Sequence, residues 1–241
     1  MGFKVKDAAD FQKMLVALAD DLVDANIHLK LYLDLNNSVN EFIEELNNAN
    51  TFWFLTFRAH SDASMIRLCR AYDSHPSSLN LRTFLQTIKA NLEWFDEPQF
   101  RERMKGNAYI DSLAASARRP DEEQLGKDLV SVTDSNPLVK TLVRWRHNAI
   151  AHRTASHAID PHEFAKRYPL SFADMQILID QGIGILNRYG SLFHANTHAS
   201  SMVGRDDYLS VLNSVRAHLK AWKAQCEEEY QRTLPDVNKD D

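Results

Sequence analysis

Apolar residues recur at three- and four-residue steps along almost the whole chain, and the two-residue alternation of a half-buried strand is nowhere convincing. Glycine is scarce, seven residues in 241. This pattern commits the chain to helices packed antiparallel around a shared core. Phe11, Leu15, Leu18, Leu22 and Val23 mark a first amphipathic helix, running on through Ile27 and Leu31 towards Asn36-Asn37-Ser38. From Val39 to Tyr72 the spacing expects one long helix or two in tandem, stopped by the turn signal Ser74-His75-Pro76-Ser77-Ser78. A shorter helix starts at Leu81, and residues 96–119 read as short helices or loop. Pro120-Asp121-Glu122-Glu123 and Asn136-Pro137 both look like helix starts. Thr154 to Leu170 reads as a loop, with Pro161 and Pro169 as breakers. Ser171 and Asp174 form a capping box that opens a strong helix ending at Gly190. Tyr208, Leu212, Val215, Leu219 and Trp222 mark the last helix, before a fraying tail from Leu234. The expectation is an all-α antiparallel helical bundle, a single domain over residues 1–241 with a four-helix core and additional N- and C-terminal helices.

Composition narrows the function. The chain is 44% hydrophobic with a formal net charge of -5, which argues against a protein whose whole surface coats nucleic acid. A localised basic cleft remains compatible, because a bound phosphate feels a field screened within about 10 Å. Cys69 and Cys226 are too far apart in sequence for a disulfide framework or zinc spacing, so a reducing, cytoplasmic setting is expected. Met1 to Asp10 is charged and lacks the apolar stretch of a secretory signal, and no apolar run approaches the ~20 residues of a membrane span. No membrane association is expected. A glycine-rich phosphate loop is absent, which excludes a nucleotide-hydrolysing motor.

One stretch breaks the ordinary profile: Arg144-Trp145-Arg146-His147-Asn148-Ala149-Ile150-Ala151-His152-Arg153. From Ser135 through Ile159 the chain has no Asp or Glu, while Lys140, Arg144, Arg146 and Arg153 are cationic. On an ideal helix at roughly 100° per residue, Leu138, Leu142, Trp145 and Ala149 share a stripe, with Val139, Val143 and Ile150 beside it. Arg146 falls inside that wide apolar sector. A guanidinium there must be paired, or must face a cleft or a partner chain. Arg146 and His152 stand roughly 120° apart, so a single straight helix cannot bring both to one small ligand. Either the helix ends before His152 or a second copy completes the site across a two-fold axis.

The chemistry suits RNA. An imidazole with an ordinary pKa near 6.5 can exchange protons with a ribose 2′-hydroxyl or a leaving oxygen, and a guanidinium can hold the phosphate through two hydrogen bonds. His152 and Arg146 are the candidates for these roles, with His147, Asn148, Arg144 and Arg153 in support. A histidine at a helix end also serves as a simple dipole cap, and an arginine beside a core stripe often only snorkels. No carboxylate cluster is seen near this stretch and no His/Cys ligand spacing, so neither a metal nor a cofactor is expected. Arg67, Arg70 and Asp73 fall on one expected helix, where Arg70–Asp73 reads first as a surface ion pair. Alternatively Asp73 orients His152 or pairs with Arg146 across the bundle. His157, His194 and His198 read as solvated loop histidines, and the four tryptophans as core or interface.

Arginine, then five residues beginning with a polar one, then histidine, near the end of a helix in an all-α chain, resembles the HEPN superfamily (higher eukaryotes and prokaryotes nucleotide-binding). Arg146, His147 and His152 carry the pattern. Met65-Ile66-Arg67-Leu68-Cys69-Arg70-Ala71-Tyr72-Asp73, followed by a turn and Leu79-Asn80-Leu81, is similar to the abortive-infection U branch, as is the capped helix from Ser171 to Tyr189. The resemblance covers a core of about residues 10–190, leaving 191–241 as a loop, C-terminal helix and tail. Two departures stand out: the Arg-to-His spacing is one longer than the commonest form, and His147 stands where Asn is frequent, with Asn148 next. The resemblance implies a homodimer whose motif helices line one cleft. It implies a metal-independent RNA endonuclease acting as a toxin or phage-defence effector, with RNA as substrate and an antitoxin or regulatory protein as a further partner. It equally accommodates a catalytically inactive module that binds RNA, a nucleotide or a protein.

Overall fold

The computed structural model describes residues 5–75, 77–151, 154–199 and 203–233. Twelve α-helices run in the order α1 (Ala8–Ser38), α2 (Ile43–Asn48), α3 (Asn50–Ala71), α4 (Leu81–Ala90), α5 (Glu97–Arg103), α6 (Ile110–Ala114), α7 (Glu122–Ser131), α8 (Pro137–Trp145), α9 (Ala155–Ile159), α10 (Pro161–Arg167), α11 (Phe172–His194) and α12 (Asp207–Thr233). A 3₁₀ turn, Leu92–Phe95, precedes α5, and a π-helical turn, Arg146–Ile150, follows α8. No strand occurs among the described residues, so the fold is all-α as the periodicity required. The chain groups into two compact units, Met1–Lys30 with Ser61–Ser201 and Leu31–His60 with Met202–Asp241.

In the first unit, Phe11, Leu15, Leu18 and Leu22 of α1 meet Leu81, Phe84, Leu85 and Ile88 of α4 and Leu178, Ile179, Ile185 and Leu186 of α11 in a fully buried core. Phe11 stacks on Phe84 at 5.2 Å between ring centroids. Gly182 lets these helices close: a Cβ there would come within 2.7 Å of Leu22 and 3.3 Å of Leu81. Asn80 caps α4, and Ser171 with Asp174 caps α11 in both directions. Tyr72 donates its hydroxyl to the carbonyl of Leu178 at 2.7 Å, fixing the end of α3 against α11. Complete burial pushes that phenol well above its usual range.

The second unit has its own small core of Leu35, Phe42, Leu46, Trp53 and Leu212. Arg216 of α12 binds Glu45 and lies over the Phe42 ring. Beyond Leu219, α12 is exposed almost throughout, with Trp222 and Cys226 among the exposed residues.

Two expectations need correction. The stretch from Thr154 to Leu170 contains α9 and α10 rather than loop. Pro161 starts α10, with Asp160 as its cap, and does not break a helix; a missing N–H is harmless in the first turn. Asp73 lies beyond the end of α3, so it does not share that helix with Arg67 and Arg70.

Candidate active site

Asp73 organises the loop between α3 and α4. Its Oδ1 accepts the His75 N–H at 3.1 Å, and its Oδ2 accepts the Ser78 hydroxyl at 2.8 Å and Nη2 of Arg146 at 2.9 Å. From the far end of the loop, Asn80 donates to the carbonyls of His75 (3.3 Å) and Ser78 (3.0 Å) while its Oδ1 accepts the Thr83 N–H at 2.8 Å. The loop is therefore held by short polar side chains at both ends, the work these residues do best outside helices.

Helix α8 starts at the Asn136-Pro137 cap and buries Val139 and Leu142. After Trp145 the backbone widens into the π turn, where the Ala151 N–H reaches back five residues to the Arg146 carbonyl at 2.7 Å. Such turns are uncommon and concentrate at functional sites. Trp145 anchors the geometry: its indole N–H donates to the Tyr168 carbonyl at 2.7 Å, and Phe164 meets its ring edge-on at 5.2 Å. The chain's own α10 thus covers part of the wide apolar sector seen on the helical wheel.

Arg146 borders a cavity of about 590 Å³ with Asp20, Asp21, Arg70, Asp73 and Ser78. The side chain of Asp73 is 7% exposed and that of Arg146 26%. A guanidinium carries five N–H donors. Only the Nη2–Asp73 bond engages Arg146 among the described residues, so its remaining donors are open to a ligand. On the opposite wall Arg70 pairs with Asp21, and Arg67 bridges Asp21 (3.2 Å) and Asp24 (2.9 Å). Behind the wall burial pushes the Cys69 thiol up to about 12, with Arg146 opposing and Asp73 adding to the shift.

The model of the HEPN family AbiU2 matches residues 8–235. The chain belongs to this family. Neither a curated protein nor a solved structure matches it. The AbiU2 match takes in α12, which lies beyond the stretch legible as HEPN-like in the sequence. Membership associates the chain with nuclease or abortive-infection roles. Among the described residues no helix is long and apolar enough to cross a membrane, and no group of three His, Cys, Asp or Glu side chains is placed to hold a metal ion.

In this AbiU2 protein the residues singled out from the sequence separate into three sets. Arg146 and Asp73 come together directly. Arg144, Asn148 and His147 lie on the same turn or just before it: Arg144 sits over the Tyr168 ring at 4.9 Å, Asn148 donates to the Arg144 carbonyl at 2.8 Å, and His147 is exposed. His152 and Arg153 lie outside the described residues. The expected Arg70–Asp73 pair gives way to Arg70–Asp21 and Arg146–Asp73. The expectation of no nearby acid also fails, because Asp20, Asp21 and Asp73 reach the motif from distant parts of the sequence. His157 and His194 are half-buried in helices rather than solvated in loops. Sequence reasoning missed Ser78 and Asp21. The turn signal at Ser77-Ser78 was visible, but nothing in it linked the hydroxyl to Asp73.

Proposed function

We propose that this protein is a metal-independent endoribonuclease of HEPN type. The observation that carries the reading is the fixed guanidinium: Arg146, on a π turn and held by the Asp73 carboxylate, borders a cavity with donors to spare. Arg146 binds the scissile phosphate and stabilises the charge that develops on its oxygens. His152 serves as the general acid/base. The ribose 2′-oxygen loses its proton and attacks phosphorus, the bond to the 5′-oxygen breaks, and that oxygen is protonated. The products are a 2′,3′-cyclic phosphate and a 5′-hydroxyl end. Asp73 is a positioning residue that sets the plane of the guanidinium and balances its charge while the site is empty. His147, Asn148, Arg144 and Arg153 support RNA along the same turn. A homodimer pairing two such turns would supply each phosphate with groups from both chains, in a cytoplasmic toxin or defence effector that an antitoxin or regulatory protein restrains.

The three carboxylates around the cavity favour a second reading, an inactive module that binds a nucleotide, RNA or a protein partner. Incubating the protein with total RNA in EDTA, beside Arg146→Ala and His152→Ala, separates the two. Cleavage leaving cyclic phosphate ends and lost in both variants supports the ribonuclease. Cleavage that survives both substitutions refutes the site, and no cleavage of varied RNAs leaves the binding module. Light scattering at twice the chain mass supports the dimer, and a strict monomer removes it.

A further inference from the structure

A second cavity, of about 340 Å³, flanks the same π turn and plays no part in phosphate binding. Arg144, Asn148, Asp160, Glu163, Arg167 and Tyr168 line it, with Phe164 completing an aromatic wall against Tyr168 at 5.1 Å. Glu163 and Arg167 are four apart on α10, the spacing at which an ion pair normally forms. They form none. The Arg167 guanidinium instead lies 5.5 Å from the Tyr168 ring centroid, and Arg144 lies 4.9 Å from it with Nη1 at 3.4 Å from the phenol oxygen. Among the described residues the Glu163 carboxylate has no partner, while the Asp160 carboxylate is occupied in capping α10 at the Glu163 N–H, 2.9 Å away. The cavity therefore combines one unengaged acceptor-only group, two guanidinium donors and flat aromatic faces.

The geometry points to a guanine-binding subsite, with Glu163 as the residue that selects the base. At neutral pH a carboxylate only accepts hydrogen bonds. Guanine presents two adjacent donors, N1–H and the N2 amino group, where adenine and cytosine place a donor beside an acceptor and uracil a donor between two acceptors. On its other edge O6 and N7 are acceptors that suit an arginine. Stacking on aromatic or guanidinium planes is the usual way a protein holds an unpaired base. Arg146 and Asn148 are two residues apart in one turn, so a strand whose phosphate meets Arg146 passes this cavity. As the base subsite of RNA cleavage the assignment rests on the ribonuclease reading, whereas a guanine site as such does not.

Calorimetric titration of the full chain with 3′-GMP, 3′-AMP, 3′-CMP and 3′-UMP tests it, alongside 2′-O-methyl hexanucleotides with and without a single guanine. The expected result is 3′-GMP binding about ten-fold tighter than the other three, the value of one good bidentate base contact. Glu163→Gln, at an exposed and unpaired position, should keep the helical signal and abolish the preference. A matching preference among the hexanucleotides assigns the site to RNA. A preference confined to the mononucleotide keeps the guanine site but assigns it to a free nucleotide. Equal affinity for all four nucleotides, no binding at millimolar concentration, or a preference that survives Glu163→Gln overturns the proposal. Cleavage of RNA in EDTA, scored separately, decides the ribonuclease reading.

Discussion

Two buried aspartates make nearly the same bonds to opposite ends. Asp128 on α7 accepts from Gln124 at 2.9 Å, from the Tyr189 hydroxyl at 2.8 Å and from Arg188. Asp73 accepts from a backbone N–H, a serine hydroxyl and Arg146. Their side chains are almost equally covered, 8% and 7% exposed. Every partner of Asp128 stands on the regular helices α7 and α11, and Gln181 ties the same two helices through Ser131. Partners of Asp73 stand in a loop and on a widened turn beside a cavity. An arginine–aspartate pair is therefore not a site in itself. Irregular backbone and adjoining open volume separate a pair poised for a ligand from one that cements two helices.

Substitutions can break or sharpen that contrast. The largest expected effect is on Arg146: Arg146→Ala should slow RNA cleavage by about 10³-fold, the scale of losing a group that stabilises transition-state charge. Its stability, read by urea unfolding, should fall by only about 1 kcal/mol, because Asp73 keeps two other hydrogen bonds. Asp128→Ala should do the reverse, lowering unfolding free energy by about 3 kcal/mol while leaving cleavage per folded molecule unchanged. Equal losses of activity in the two variants would erase the distinction. Asp73→Asn keeps the shape and removes the charge, so cleavage should fall about ten-fold with stability within about 1 kcal/mol. A third aspartate gives the smallest effect. Hydrogen bonds from the Ser171 hydroxyl and backbone N–H hold the Asp174 carboxyl below its ordinary value of 3.8. Its folded value lies below its unfolded one, so it stabilises the fold at neutral pH and that contribution fades as pH falls through the folded value. Ser171→Ala should therefore cost more stability at about pH 6 than at about pH 3.

The helices were legible because their periodicity is local. Phe11, Leu15, Leu18 and Leu22 announce their buried face within three turns, and the caps at Asn80, Asn136 and Ser171 announce the starts. Arg146 was legible as an anomaly, a charge in an apolar sector, and its partner was one of two roles considered for Asp73. The acid-lined wall was not legible. Asp20 and Asp21 lie on α1, more than a hundred residues from the motif, and a local window around Arg146 contains no carboxylate. The π turn was hidden as well, since a wheel drawn at constant pitch has no place for a change of pitch. Pro161 misled for a related reason: proline opens a helix as readily as it ends one, and the Asp160 cap was the deciding signal.

A π turn holds one more residue than the α turn it replaces. The motif carries one more residue between arginine and histidine than its commonest form, and the turn begins at that arginine. The two surpluses are equal, so the turn acts as a slack loop in the helical thread. It absorbs an inserted residue locally and leaves the phase of α8 and the seating of Trp145 undisturbed. Motif spacing in such a chain can drift by one residue without rotating the core that holds it.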